Sequence, residues 1–98
     1  MIVIFMLYCN TAFPYDFSAV SPSGQTLYYN IVSEEAVVTY PNDYFYSGYN
    51  HYYGYTLPAG NLIIADSVSY GGQSYRVTGI GQEVFNGCLG LTTLNTYW

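Results

Sequence analysis

The residues of this chain that could do acid–base or nucleophilic chemistry are few and scattered. His51 is the only histidine, and no nearby arrangement of Asp or Cys supplies the partners that a catalytic or metal-binding histidine needs. Glu34 and Glu35 are adjacent, so on a strand they point to opposite faces and cannot act together as an acid–base pair. We therefore expect no catalytic residues, and a structural or solvated role for all three side chains.

The cysteines and glycines give no sign of a metal or phosphate site. Cys9 and Cys88 are the only cysteines, and with one histidine they lack the spacing of a zinc site. Cys88 has no candidate base, and we expect it to be a buried apolar thiol. Gly79 and Gly81 are not followed by the helix and lysine of a phosphate loop. The sequence therefore predicts no cofactor and no metal.

Tyrosine is the one residue type in excess, at 14 of 98 residues. Its ring is apolar and its tip is polar, which suits both half-buried strands and contact surfaces. Several tyrosines fall in the stretch 41–60, where two interpretations stay open. The rings either pack over a sheet or contact a protein or glycan ligand. The candidate ligand contacts are Tyr46, Tyr49, Tyr52, Tyr53 and Tyr55.

Charge excludes some partners. The net charge is −5, and Arg76 is the only cationic side chain besides the histidine. Binding to nucleic acid requires clustered Lys and Arg, so it is excluded, and attraction to anionic lipid is not expected. We expect Arg76 to form an ion pair on a strand face or to be solvated. The content of 51% hydrophobic and 7% charged residues indicates one small folded domain with little charge to keep it monomeric.

The N-terminal segment 1–14 has features of a secretory signal. Residues 1–7 form an apolar run, and Thr11 and Ala12 are small, but a basic start is missing and Phe13 and Pro14 form a poor cleavage site. The run is too short to span a membrane. We interpret the segment as a degenerate or truncated signal peptide, and the alternative is a strand or helical turn within the fold.

Alternating residues predict a mainly β fold. We expect strands at 15–20, 26–32 and 36–40, with the last two forming an antiparallel hairpin. In the first strand of that hairpin, Leu27, Tyr29 and Ile31 share one face. Residues 41–60 lack a period and read as a long loop with one irregular strand near 52–55.

A second hairpin is predicted after this loop. Residues 61–64 form a strand, and 67–70 and 73–78 flank Gly71-Gly72, a pair suited to a turn that needs positive φ. In this register Val68 faces Tyr75. The hairpin leads into a segment with regularly placed apolar residues. In this segment we expect a single helical or 3₁₀ turn at 82–86 and a strand at 91–94. The expected core of this segment is Ile80, Val84, Phe85, Cys88, Leu91 and Leu94.

Residues 77–94 resemble one repeat of the BspA-like bacterial leucine-rich-repeat proteins. The matching elements are Ile80-Gly81, Val84-Phe85, Gly87-Cys88 and Leu91-Thr92-Thr93-Leu94, while Val84 and Leu89 replace the usual Ala and Ser. Residues 15–76, apart from the tyrosine-rich stretch, are similar to the N-terminal lead-in of such proteins.

The resemblance implies antiparallel hairpins in a capping region at 15–76, followed by one truncated leucine-rich-repeat coil at 77–98. It implies a secreted or cell-surface bacterial protein without enzymatic activity, whose partners are other proteins or cell-surface ligands. Because a solenoid repeat buries its apolar face against its neighbours, we also expect self-association through the uncapped repeat. The alternative is an independent binding module that uses the tyrosine-rich loop for protein or glycan.

Overall fold

A computed structural model describes residues 14–42, 51–52 and 54–98, and these form seven β-strands and no helix. The strands are β1 (Phe17–Val20), β2 (Thr26–Val32), β3 (Glu35–Thr39), β4 (Gly60–Ile64), β5 (Ser67–Tyr70), β6 (Gln73–Ile80) and β7 (Leu91–Thr96). One sheet has the order β1-β2-β3-β6-β5, and β4 and β7 form a second. The prediction of a mainly β fold is confirmed. The interpretation of residues 1–14 as a signal peptide falls almost entirely outside the described residues.

β2 and β3 form the antiparallel hairpin that the alternation of residues 26–40 predicts. Their register pairs Tyr29 with Val38, and both side chains are buried. In the connecting turn Ser33 and Glu34 have positive φ values of 52° and 68°. Two-residue hairpin loops favour this backbone because its twist matches that of the strands, although Asn and Gly adopt it more readily. The hairpin therefore forms with unfavourable residues in its turn.

β5 and β6 form the second predicted hairpin. Val68 pairs with Tyr75 in the expected register. Gly71 and Gly72 have φ values of 62° and 82°, the conformation that two-residue hairpin turns require and that glycine adopts without steric cost. Local turn chemistry is therefore sufficient to set this pairing.

The five-stranded sheet curls until its first and last strands meet. Phe17 on β1 stacks on Tyr70 of β5, with ring centroids 4.7 Å apart and planes at 9°. The ring of Phe17 also stacks on Tyr29 of β2 at 5.3 Å. Stacked and tilted aromatic pairs at these distances add to the energy of burial. The curl thus closes one side of the hydrophobic core with aromatic rings.

Two parallel pairings organise the second half of the chain. β3 pairs with β6 and β4 pairs with β7, each with one irregularity in register. Parallel strands cannot be joined by a tight turn, so the chain must pass around the molecule before it returns beside the earlier strand. We call β3 together with β4 the first coil, and β6 together with β7 the second coil. The sequence pattern predicts the antiparallel hairpins but neither of these parallel pairings. The boundary expected at residue 76, between the capping region and the repeat, falls inside β6.

Both coils share one core. Its buried residues come from five strands and from the turn after β6, and they are Phe17, Leu27, Tyr29, Ala36, Val38, Leu62, Ile64, Val77 and Val84. A second, smaller cluster contains Tyr28, Tyr52 and Cys88. Each fully buried large apolar side chain contributes about 1.5–3 kcal/mol, so the shared core holds the coils in one folded unit.

The described part of the long loop contains a turn where a strand near 52–55 was expected. The amide of Tyr55 donates to the carbonyl of Tyr52 at 2.7 Å, and Gly54 between them has a φ of 84°. A glycine with positive φ next to this hydrogen bond closes a turn and breaks an extended strand. The strand prediction is therefore wrong for the residues of this stretch that the structure describes.

Candidate functional site

The two parallel pairings place similar apolar residues side by side in neighbouring strands, and we call each such row a ladder. In each ladder the residue of the first coil is more buried than that of the second. Val38 on β3 pairs with Ile80 on β6, and Leu62 on β4 pairs with Leu94 on β7. Val38 and Leu62 are fully buried, whereas Ile80 leaves 36% and Leu94 leaves 44% of its surface exposed. The first coil is therefore buried at both positions and the second coil is partly exposed, since β5 pairs with the side of β6 away from β3 only along Gln73–Arg76.

The backbone of β7 is open on the same side. The amide of Tyr97 donates to the carbonyl of Ile64 at 3.1 Å, so this amide points to β4. Because successive amides of a strand point to opposite sides, that of Thr96 faces away from β4. Among the described residues no strand pairs with this edge of β7. We call Ile80, Leu94 and the unpaired edge of β7 the ladder end.

The opposite edge, along β4, is closed by side chains from the turn between β1 and β2. Gln25 donates through Nε2 to the carbonyl of Ala59 and accepts the amide of Ala59 through Oε1, both at 2.8 Å. Ser23 accepts the amide of Ile63 through Oγ at 3.0 Å. An amide side chain can satisfy a strand edge in this way because it carries one donor and one acceptor, as a peptide group does.

Sequence reasoning missed this closure. Residues 21–25 separate the predicted strands 15–20 and 26–32, and nothing local to Ser23 or Gln25 signals a contact with residues 34 to 40 positions later in the chain. Polar side chains in a turn are ordinary. Only the three-dimensional position of β4 gives them their role.

Four of the six positions predicted for the repeat core are buried or partly buried, namely Val84, Phe85, Cys88 and Leu91. Ile80 and Leu94 were also expected in the core but are exposed. They lie in register with Val38 and Leu62, one strand further along each ladder. Their exposure follows from the open ladder end.

The predicted ligand-contact tyrosines separate into different environments. Tyr52 is 1% exposed and packs in the cluster with Tyr28 and Cys88, so its ring supports the interior rather than a contact surface. Tyr55 is 38% exposed. Tyr46, Tyr49 and Tyr53 lie outside the described residues. Of the described candidates, only Tyr55 is placed at the surface.

Tyr55 lies in a groove that the sequence does not reveal. Residues 24–26 and Tyr28 form one wall, residues 54–56 form the other, and the enclosed volume is about 740 Å³. We call this the tyrosine groove. Its size falls within the range of about 300–1,000 Å³ that is typical of ligand pockets. Tyr28 meets Tyr55 edge-on at 5.7 Å and Tyr15 at 5.0 Å.

The chain matches no known family. No curated protein and no solved structure matches it either. The interpretation of its surfaces therefore depends on the sequence and on the geometry described above.

His51, the only histidine, packs against other side chains of the fold. His51 is buried and stacks on Tyr40 with centroids 3.8 Å apart, and its Nδ1 lies 3.0 Å from the carbonyl oxygen of Asn42. Within the described ranges no three His, Cys, Asp or Glu side chains cluster as metal ligands would. Arg76 is exposed on β6.

Burial also suppresses ionisation of the interior thiol and phenols. It raises the pKa of the Cys88 thiol and raises the pKa of Tyr29 to about 12. It also raises the pKa of Tyr52, to which nearby Cys88 and Tyr28 add smaller effects. A buried neutral thiol is a poor nucleophile because the thiolate is the reactive form. These groups therefore suit packing better than covalent chemistry.

None of the described residues forms a helix with the length and hydropathy needed to cross a bilayer.

Proposed function

We propose that this chain is a non-enzymatic capping module of a parallel β-solenoid, of the BspA-like leucine-rich-repeat type. It closes one end of the stack with its β1–β2 turn and offers the ladder end to a further coil, in the same polypeptide or in another. Its setting is a secreted or cell-surface bacterial protein whose role is contact with other proteins or with cell-surface ligands.

The observation that carries the proposal is the unequal burial of the two ladder pairs. Val38 and Ile80 occupy equivalent positions in successive coils, as do Leu62 and Leu94. The residue in the first coil is fully buried in both pairs, and its partner in the second coil is more than one-third exposed. A third coil with apolar residues at these positions would bury Ile80 and Leu94 as the second coil buries Val38 and Leu62. That burial would contribute on the order of 1 kcal/mol for each residue.

The difference between the two strand edges supports the addition of a further coil at β7 and not at β4. The outer edge of β4 is occupied by Ser23 and Gln25, which satisfy amides and a carbonyl that could otherwise pair with another strand. β7 has no such cover within the described chain. Solenoids need a polar cap at a terminus to remain soluble, and unpaired strand edges attract other strands. A further coil is thus favoured at β7 and disfavoured at β4.

The secreted setting depends on the signal-like segment 1–14 and on the resemblance of residues 77–94 to a repeat of this family. A solenoid cap in such a protein needs no catalytic group.

Charge substitution at the ladder end tests the proposal. If the ladder end accepts a further coil, the wild-type chain alone will use it to associate with a second copy. We expect the Ile80→Lys/Leu94→Lys variant to be monomeric in sedimentation velocity at a concentration where the wild type associates. Buried lysines at that contact would be unpaired, which is strongly unfavourable.

The matched control is Val20→Lys/Val32→Lys, which adds the same two charges at exposed positions away from the ladder end. This control should associate like the wild type, and at a concentration where the wild type is monomeric both variants should keep its melting temperature. A wild-type chain that remains monomeric at high concentration and unfolds cooperatively would count against the proposal. Equal loss of association in both variants would assign the effect to net charge and contradict it as well.

A further inference from the structure

The tyrosine groove lies away from the ladder residues, and its lining selects for a particular chemistry. Its described lining consists of glycine, threonine, glutamine and tyrosine, and none of these side chains is charged. An anionic ligand would find no cation there and would be repelled by the net charge of −5. A cationic ligand would find no carboxylate among the described residues that line the groove. The groove therefore suits a neutral ligand.

The polar groups of the groove are mostly hydroxyls. Thr26 and Thr56 lie on opposite walls and are exposed, and the phenol groups of Tyr28 and Tyr55 add two more. Hydroxyls both donate and accept hydrogen bonds, so they match a ligand that carries many hydroxyls of its own. Gly24 and Gly54 leave open space where a side chain would narrow the groove.

The exposed ring of Tyr55 is held in place from two directions. It meets the ring of Tyr28 edge-on at 5.7 Å and an interplanar angle of 82°. The backbone amide of Tyr55 donates to the carbonyl of Tyr52 at 2.7 Å, which fixes the main chain that carries the ring. A ring fixed in this way loses little freedom when a ligand stacks on it.

The two walls are also tied together. Gln25, in the first wall, makes two hydrogen bonds of 2.8 Å to the backbone of Ala59, which lies three residues beyond the second wall. Because these bonds fix the spacing of the walls, the groove is formed before any ligand arrives. Small-molecule sites are usually preformed in this sense, with aromatic surface and a few convergent polar groups.

We propose that the tyrosine groove binds a neutral oligosaccharide. The ring of Tyr55 would pack against the apolar face of a sugar ring, and the hydroxyls of Thr26 and Thr56 would bond to sugar hydroxyls. The site is independent of the ladder end, so this binding and the capping role can be tested separately.

The experiment is titration of the full chain, by isothermal calorimetry and by NMR chemical shifts, with three neutral trisaccharides: maltotriose, cellotriose and triacetylchitotriose. We expect at least one to bind with a Kd of about 1 mM or below. Tyr55→Ala should weaken this binding by roughly tenfold, as expected for loss of an aromatic contact worth about 1.4 kcal/mol. The double variant Thr26→Val/Thr56→Val, which keeps the side-chain shapes, should weaken it by a similar factor.

The control is Tyr97→Ala, which removes an exposed tyrosine outside the groove and should leave the Kd unchanged. A proline-rich peptide serves as a competing class of ligand. The proposal is overturned if none of the three trisaccharides binds, or if the peptide binds the groove and they do not. It is also overturned if the threonine double variant, with an unchanged melting temperature, binds sugar as the wild type does. That variant keeps the test decisive should Tyr55→Ala fail to fold.

Discussion

Leu62 and Leu94 are register neighbours in the parallel β4–β7 pair, yet Leu62 is fully buried and Leu94 is 44% exposed. Their side chains are identical, and their strands are adjacent and parallel. The difference is that Ser23 and Gln25 close the outer edge of β4, whereas no strand within the described residues pairs with the outer edge of β7. The burial of a leucine in this fold therefore depends on which strand of the β4–β7 pair carries it.

Truncation of these two leucines should have unequal effects on stability. Leu62→Ala should lower the free energy of unfolding by about 2–5 kcal/mol, because it leaves a cavity in the core. Leu94→Ala removes a half-exposed side chain and should cost about 1 kcal/mol or less. Urea titration followed by circular dichroism measures both. Both variants are measured at a concentration where the wild type is monomeric, and equal losses there would contradict the unequal burial of the two leucines.

Removal of the Gln25 side chain should open the capped edge. Gln25→Ala deletes both hydrogen bonds to Ala59 and should lower the free energy of unfolding by about 1–2 kcal/mol. It should also speed amide exchange at Ala59, which hydrogen–deuterium exchange detects. Gln25→Glu is a useful comparison, since it can still accept the amide of Ala59 but in its ionised form can no longer donate to the carbonyl. An intermediate loss is expected, and stability equal to the wild type in both variants would contradict a capping role for Gln25.

The turn between β2 and β3 offers a stabilising substitution. Ser33 and Glu34 both have positive φ, which asparagine and glycine adopt at lower cost. Ser33→Asn/Glu34→Gly should therefore raise the free energy of unfolding by about 1 kcal/mol. The matched control is the same pair of residues placed at Ser67 and Val68, within β5, where they should destabilise the hairpin. A lower melting temperature for the turn variant would show that the native turn differs from the one described.

Tyr29 should make the fold sensitive to alkali. Within the described structure its buried hydroxyl has no hydrogen-bond partner, and burial raises the pKa of Tyr29 from 10.0 to about 12. Between these values the unfolded chain releases the phenolic proton and the folded chain holds it. Stability contributed by the neutral phenol is thus fully present below pH 10 and is lost as the pH rises toward 12.

Tyr29→Phe removes both the unpaired hydroxyl and its titration. We expect the variant to be as stable as the wild type or more stable at pH 7, because an unsatisfied buried hydroxyl costs about 1–3 kcal/mol. Its alkaline unfolding midpoint should move to higher pH, as read from circular dichroism during a pH titration. A clear loss of stability at pH 7 would indicate that the Tyr29 hydroxyl is hydrogen-bonded in solution.

The parts of the fold that follow from local sequence are two of its hairpins, β2–β3 and β5–β6. Gly71-Gly72 sets the register of β5 with β6, and the alternation around Leu27 and Tyr29 sets that of β2 with β3. Both pairings need information from neighbouring residues only. The predicted positions of β4 and β7 are also close to the observed ones, since each is a short apolar run bounded by turn residues.

The remainder depends on contacts between distant parts of the chain. No local pattern indicates that β3 pairs with β6, or that Gln25 bonds to Ala59. The burial of Tyr52 could not be predicted either. Its neighbours in the sequence would be the same whether its ring faced solvent or packed on Tyr28 and Cys88, as it does. The tyrosine groove arises where two such distant segments meet, so its location could not be predicted.

The most direct test of the account is the association state of two proline variants in neighbouring positions of β7. The amide of Thr96 faces the open edge, whereas that of Asn95 points to β4 by the alternation of the strand. Proline lacks this amide and its ring obstructs pairing on that side.

Sedimentation equilibrium and thermal unfolding of Thr96→Pro, Asn95→Pro and the wild type distinguish the edge of β7 that faces β4 from the edge that faces away. The account predicts that the wild type self-associates and that Thr96→Pro is monomeric. At a concentration where the wild type is also monomeric, Thr96→Pro should keep the wild-type melting temperature and Asn95→Pro should lower it. A Thr96→Pro variant that associates as strongly as the wild type would contradict strand addition at β7, and with it the proposed capping role.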